Sequence, residues 1–187
     1  MHKIYALFDA QLHQNKGLSF EAFIEKIDRK NATYLQYRDK VNPQDIKIQN
    51  LKKLRKLYTG VLLVNDDISL VCYCDGLHVG QEDIEKFSHD KKEAVAKIRE
   101  EIGAKILGLS THNIKEVEEA NELNIDYIGL GAYRDTTTKD VSQVLGDKLS
   151  SIASHSKHEV AAIGGVKFDD NIQHVTFLVL GSNIYED

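Results

Sequence analysis

Two short acidic clusters each follow an apolar run of the chain. Residues 65–67 (Asn-Asp-Asp) come directly after the apolar residues 61–64, and residues 81–83 (Gln-Glu-Asp) come shortly after residues 76–79 (Gly-Leu-His-Val). The carboxyl ends of parallel strands are where α/β proteins collect their chemistry. Mg²⁺ usually takes one or two protein carboxylates and leaves its other positions to water and substrate phosphate. The repeated pattern therefore indicates a magnesium site, with helix capping by one of the aspartates as the alternative.

These clusters need strands and helices to position them. Apolar runs predict eight strands, and residues with helical spacing lie between most of them. Such alternation implies a parallel sheet, and eight units favour a closed (β/α)8 TIM barrel in the α/β class over an open doubly wound sheet. The predicted strands cover residues 4–8, 32–38, 61–64, 76–79, 105–109, 126–131, 160–163 and 175–180.

The barrel must be compact. A chain of 187 residues, 42% of them hydrophobic, can bury one core, so we expect residues 1–187 to form a single domain. Such barrels usually need about 200 residues or more. The connections at residues 65–75 and 164–174 are short, and only seven residues follow Leu180. We therefore expect clipped helices after strands 3, 7 and 8.

The charge and composition exclude several classes of partner. The net charge is −5 and there is no basic block, so nucleic acid is not expected as a partner. No apolar stretch approaches the length that spans a membrane. The N-terminal residues run directly into the first strand, and Cys72 and Cys74 form neither a good disulfide pair nor a metal site. We expect a cytoplasmic protein without a signal peptide.

Polar residues and glycines at the predicted strand ends would share one rim of the barrel. The cations Arg38, Lys40 and Lys139 facing Asp66 and Asp83 suit a magnesium-bound polyphosphate. Glycine turns after strands 7 and 8 would expose backbone N–H groups to a monophosphate, although each alone is also an ordinary tight turn. His112 is expected to be structural, with catalysis as the alternative. The rim set is Gln36, Arg38, Lys40, Asn65, Asp66, Gln81, Asp83, Ser110, His112, Thr136, Thr138, Lys139, Gly164, Gly165, Gly181 and Ser182.

Seven motifs, in this order along the chain, resemble those of the thiamine-phosphate synthase family. They cover the chain from Gln36 to Gly165, and the third is the most specific. The motifs are QYRDK at 36–40, VNDD at 64–67, DGLHVGQED at 75–83, GLSTH at 108–112, YIGLG at 127–131, TTTK at 136–139 and IGG at 163–165.

The resemblance implies a Mg²⁺-dependent transferase with a TIM-barrel fold. Such an enzyme joins an aminopyrimidine methyl diphosphate to a thiazole phosphate and releases pyrophosphate. The resemblance implies that Asp66 and Asp83 are metal ligands and that Gln36 contacts the pyrimidine. The resemblance also implies that four polar residues bind the diphosphate and take part in catalysis, namely Arg38, Lys40, Ser110 and Lys139. Asn65 would bind the diphosphate as well. Thr136, Thr138 and Gly165 would face the thiazole phosphate, where Gly181 and Ser182 are also expected.

The sequence departs from the family pattern at positions that are expected to surround the thiazole phosphate. Gly131-Ala132 stands where the family usually has Gly-Pro, and residues 180–183 (Leu-Gly-Ser-Asn) replace the usual end of strand 8. Two alternatives stay open. One is the related thiazole tautomerase, which uses a histidine near the position of His112. The other is a non-catalytic barrel that binds a thiamine precursor or a partner chain, and a homo-oligomer could cover apolar surface left by the short C-terminus.

Overall fold

The computed structural model describes residues 1–135 and 144–185. Its eight strands are all parallel and pair side by side in chain order, and β8 pairs with β1 to close the barrel. This confirms the predicted TIM barrel. The strands are β1 (Lys3–Asp9), β2 (Ala32–Arg38), β3 (Val61–Asn65), β4 (Gly76–Val79), β5 (Ile106–Thr111), β6 (Tyr127–Gly131), β7 (Glu159–Ile163) and β8 (Phe177–Leu180).

The helices vary widely in length. Those of the described residues are α1 (Ala10–Lys16), α2 (Phe20–Arg29), α3 (Gln44–Leu57), α4 (Gln81–Ile84), α5 (Lys91–Ile102), α6 (Ile114–Ala120) and α7 (Lys148–Ala153). Short 3₁₀ helices, Ile68–Tyr73 and Ser182–Ile184, follow β3 and β8, and the chain between β7 and β8 forms turns. The clipped helices after strands 3, 7 and 8 are thus confirmed.

Polar caps fix where several helices begin. The side chains of Ser19, Asp90 and Asn113 accept hydrogen bonds from the backbone N–H three residues ahead, at α2, α5 and α6. Each bond satisfies a donor that the first helical turn cannot pair internally. Helix α1 was not predicted: Asp9 caps it through Leu12 N at 2.9 Å, and Gly17 ends it at φ 63°.

Two apolar layers hold the barrel together. The larger layer packs the outer face of the strands against the helices. The smaller one fills the barrel interior with alternate residues of the strands, as expected from the two-residue period of a β-strand. Its buried members are Tyr5, Leu7, Leu63, Tyr127, Ala161, Phe177 and Val179. Among the described residues, no helix is long and apolar enough to cross a membrane.

Candidate active site

One cavity of about 600 Å³ opens at the carboxyl ends of the strands. This is within the usual size of a small-molecule site. All of the predicted site residues that the structure describes line it, namely Gln36, Arg38, Lys40, Asn65, Asp66, Asp83, Ser110, Gly165, Gly181 and Ser182. The remaining three, Thr136, Thr138 and Lys139, lie outside the described residues. The fold thus brings together side chains from strands that are far apart in sequence.

Two cations project from the end of β2 and the loop after it. Arg38 pairs in register with Asp9 of β1, and its guanidinium forms an ion pair with the buried Asp9 carboxylate. Lys40 forms an ion pair with Asp66, and half of the Lys40 side chain is exposed. Arg38 is therefore held by a buried partner, whereas Lys40 reaches over the cavity from an exposed position.

Asp66 and Asp83 meet beside these cations on the rim. Asp66 follows β3 at φ 62°, and its Oδ1 accepts from Gly80 N at 3.2 Å. Asp83 lies in the first turn of α4 and pairs with Lys86. A Cβ on Gly80 would stand 3.1 Å from Asp83 Oδ2 and 4.0 Å from Asp66 Oδ1. Both carboxylates therefore converge on the space that this glycine leaves open.

This donor set fits Mg²⁺. Two carboxylates that face one open space suit a hard cation that keeps several water or phosphate ligands. Within residues 1–135 and 144–185, no cluster of three or more His, Cys, Asp or Glu side chains is arranged around a metal. Zinc held entirely by protein ligands would need such a cluster.

The neighbouring acidic residues have different surroundings. Asp67 caps the 3₁₀ helix that follows β3, since its Oδ1 accepts from Ser69 N at 3.2 Å and from Ser69 Oγ at 2.6 Å. The capping alternative thus applies to Asp67, while Asp66 lines the cavity. Glu82 also lines the cavity, beside Asp83.

A chain of polar side chains forms the cavity floor. Ser110 Oγ lies 2.9 Å from His78 Nε2, and His78 Nδ1 lies 2.9 Å from the hydroxyl of Tyr127. The Tyr127 and Tyr5 hydroxyls are 2.8 Å apart, and Gln36 Nε2 donates to the Tyr5 hydroxyl at 2.7 Å. This chain links β5, β4, β6, β1 and β2 through the middle of the barrel. Burial raises the pKa of Tyr5 and of Tyr127 well above the ordinary tyrosine value, so both phenols are neutral.

Glycine amides lie at the other end of the cavity. Gly164 and Gly165 adopt φ values of 87° and 63°, and a Cβ on Gly165 would stand 2.7 Å from Arg134 Cβ. Arg134 forms a bidentate ion pair with Asp170 at 2.6 and 2.7 Å and donates to Gly165 O at 2.9 Å. The loops after β6 and β7 are thus tied together close to the glycines.

Some cavity residues were not assigned a role from the sequence. His78 and Glu116 line the cavity, and Glu116 Oε2 accepts from the His112 backbone N–H and contacts His112 Nδ1, each at 2.9 Å. The two-residue period of β4 and of β6 could have placed His78 and Tyr127 inside the barrel. Glu116 donates its backbone N–H to Asn113 Oδ1 at 3.0 Å, and its side chain holds His112 as well.

Comparisons with known proteins agree with the geometry. The family model of thiamine monophosphate synthase matches residues 4–177. A thiamine-phosphate synthase of Chloroflexus aurantiacus is 38% identical over 171 residues, which cover 88% of this chain and 74% of that protein. One from Lawsonia intracellularis is 36% identical over 180 residues, covering 92% of this chain and 77% of that protein.

A solved structure has the same fold. Thiamine phosphate pyrophosphorylase from Pyrococcus furiosus superposes with a TM-score of 0.78 and 22% identity, covering 99% of this chain and 88% of that one. At that identity the likeness concerns the barrel alone. The match to the family model spans nearly the whole chain, and both relatives exceed one third identity over most of their length. The chain therefore belongs to the thiamine monophosphate synthase family.

Proposed function

We propose that this protein is a Mg²⁺-dependent thiamine-phosphate synthase. It would join 4-amino-2-methyl-5-pyrimidinylmethyl diphosphate to thiazole phosphate and release thiamine phosphate and pyrophosphate. One observation carries the proposal: two cations, two convergent carboxylates and a pair of glycine turns share a single cavity of about 600 Å³. A diphosphate fits the charged end, and a monophosphate fits the glycine end.

The cations and polar groups hold the departing diphosphate. Arg38 offers a planar donor group whose orientation is fixed by Asp9, and Lys40 adds a mobile point charge. Asn65 and Ser110 supply neutral donors beside them. From the sequence we add Lys139 to this group, in the part of the chain that the structure does not describe. These groups lower the barrier because negative charge grows on the diphosphate as it leaves.

Asp66 and Asp83 would hold the metal ion. When bound, Mg²⁺ neutralises part of the charge on the departing pyrophosphate. The carboxylates also keep Lys40 and Lys86 near the rim through their ion pairs. Gly80 leaves the space between the carboxylates open, and any larger side chain would enter it.

The bond changes need no nucleophile from the protein. The bond between the pyrimidinylmethyl carbon and the diphosphate oxygen breaks, and its electron pair leaves with the oxygen. The aminopyrimidine stabilises the resulting cation, and the lone pair of the thiazole nitrogen forms the new carbon–nitrogen bond. Gln36 would contact the pyrimidine, while Gly165, Gly181 and Ser182, with Thr136 and Thr138, would hold the thiazole phosphate. The protein contributes alignment and electrostatic stabilisation.

A direct assay tests this proposal. Both substrates are supplied with and without Mg²⁺, and thiamine phosphate and pyrophosphate are measured. We expect both products in equal amounts and only with metal. Asp83→Ala should remove most activity with an unchanged circular dichroism spectrum, whereas the exposed Glu85→Gln should retain it. A folded protein that forms no product under any metal condition would refute the proposal.

A second candidate is thiazole tautomerisation, favoured by the contact between His112 and Glu116 at the cavity wall. A carboxylate that orients a histidine is a common arrangement for proton transfer. Isomerisation of the thiazole without pyrimidine or metal, lost in His112→Asn, would support this activity. Saturable binding of either substrate without any turnover would instead indicate a binding protein.

Two broader expectations remain predictions. The protein should be found in the cytoplasm, which cell fractionation would check. A homo-oligomer would give a sedimentation mass that is a multiple of 21.1 kDa.

A further inference from the structure

The hydrogen-bond chain under the cavity has a defined direction. Gln36 Nε2 can only donate, so the Tyr5 oxygen accepts from it. If Tyr5 donates to Tyr127 and Tyr127 donates to His78 Nδ1, every hydroxyl hydrogen of the two tyrosines has an acceptor. In the reverse direction the Tyr5 oxygen accepts twice, and its own hydrogen has no acceptor among the side chains that form this hydrogen-bond network in the described residues. An unpaired buried donor is costly, and Tyr5 is 1% exposed.

This direction fixes the state of His78. Because Nδ1 accepts from Tyr127, the imidazole hydrogen lies on Nε2 and is donated to Ser110 Oγ. The hydroxyl hydrogen of Ser110 is then directed to other acceptors at the cavity. At the other end, the bond to Tyr5 uses one N–H of the Gln36 amide and fixes the orientation of the amide plane, so its carbonyl oxygen can accept from a molecule in the cavity that Gln36 lines.

Two glycines of the barrel make room for this chain. A Cβ on Gly108 would stand 2.2 Å from the Tyr127 ring and 2.5 Å from its hydroxyl. A Cβ on Gly129 would stand 3.1 Å from the His78 ring. Glycine inside a strand weakens the sheet, so its use at both positions fits a requirement for the buried polar side chains.

We propose that Tyr5 and Tyr127 are positioning residues of the active site. Together they present the Gln36 carbonyl oxygen and the Ser110 hydroxyl hydrogen to the cavity. This inference rests on the proposed function only for the identity of the substrate: the Gln36 carbonyl would accept from the exocyclic amino group of the pyrimidine, and Ser110 would donate to a diphosphate oxygen. The neutral state of both phenols agrees with this role, because each must donate a hydrogen.

The tautomer of His78 tests the direction without any substrate. Long-range ¹H–¹⁵N spectra of the free protein distinguish Nε2–H from Nδ1–H imidazoles, and the His78 signals are those missing from His78→Gln. We expect the Nε2–H form in the unmodified protein and a mixture of forms in Tyr127→Phe. Tyr34→Phe is the matched control, because Tyr34 packs on Tyr5 at 5.5 Å but contributes no hydroxyl to the chain. A predominant Nδ1–H form in the unmodified protein would overturn the proposal.

Kinetics test the consequence for the substrate. Tyr5→Phe removes the acceptor of the Gln36 amide but keeps the bond between Tyr127 and His78. We expect kcat/KM for the pyrimidine diphosphate to fall between about fivefold and a hundredfold, with KM for the thiazole phosphate within about twofold and the His78 tautomer unchanged. Equal losses for both substrates, or no loss in a folded Tyr5→Phe, would contradict the role of Tyr5. Should the unmodified protein make no product, the proposed function fails while the His78 spectra still decide the proposal.

Discussion

Asp66→Asn offers the sharpest test of the metal site. The substitution removes one negative charge and keeps the shape of the side chain. Asp66 has φ 62°, and asparagine adopts this left-handed conformation as readily as aspartate. The carbonyl oxygen of the introduced amide can still accept from Gly80 N, so the loop after β3 should keep its geometry.

The expected effects on stability and on activity differ widely. Asp66 is paired with Lys40, whose side chain is half exposed, and such a pair contributes about 0–1 kcal/mol. The activity should fall much further, because losing one electrostatic stabiliser of the transition state typically costs about 10²–10³ in kcat. Lys40 loses its partner and attracts the diphosphate at least as strongly as before. We therefore expect the loss in kcat and little increase in KM for the diphosphate substrate.

The assay compares Asp66→Asn with Asp67→Asn across a range of Mg²⁺ concentrations. Asp67 is the adjacent carboxylate, but it caps the 3₁₀ helix, and asparagine caps as well as aspartate does. Asp67→Asn should keep activity within about twofold, and Asp66→Asn should need far more Mg²⁺ for half of its maximal rate. Near-normal turnover in Asp66→Asn, or equal losses in both variants, would refute the assignment of Asp66 as a ligand.

Three further predictions concern the surrounding structure. Arg134 holds the pKa of the Asp170 carboxyl below its usual range, so their pair stabilises the fold above the unfolded pKa of about 3.9 and is lost as the pH falls through the folded pKa. Urea unfolding should thus show a deficit for Asp170→Asn at pH 6 that shrinks below about pH 4. Arg38→Met leaves the buried Asp9 carboxylate without its cation and should lower the free energy of unfolding by roughly 3 kcal/mol; a loss below about 0.5 kcal/mol, on the order of a surface pair, would contradict this. Burial raises the pKa of the Cys74 thiol to about 12, whereas Cys72 is exposed, so a thiol reagent at about pH 8 should label one cysteine in the native protein and two in denaturant.

The strands could be predicted because the buried ones are nearly continuous apolar runs. The observed strand ends differ from the predicted ones by a few residues: β8 begins at Phe177 rather than at residue 175, and β5 continues to Thr111 rather than ending at residue 109. Helix α1 was missed because Ala10–Lys16 is mostly polar and buries only Ala10 and His13. Its formation depends on the Asp9 cap and the Gly17 turn, which a search for apolar periodicity does not detect.

The described part of the rim could be predicted because its residues lie at or shortly after the carboxyl ends of the strands. The floor could not be predicted in the same way. His78, Tyr127 and Tyr5 belong to β4, β6 and β1, and no two of these strands are neighbours in the barrel. The three side chains meet only across the barrel interior. Their contact depends on strand register and on the space at Gly108 and Gly129.

The two cations of the rim differ in how freely they can respond to a ligand. Asp9 is 5% exposed and also accepts from Leu12 N, so it cannot easily leave Arg38, and separating them would strand a buried charge. The Lys40 side chain is half exposed, and exchanging one partner for another costs little at such a position. Arg38 is therefore suited to fix the orientation of the diphosphate, and Lys40 to follow its charge as it leaves. A chain with a net charge of −5 can in this way bind anions through a few local cations whose partners lie within the site itself.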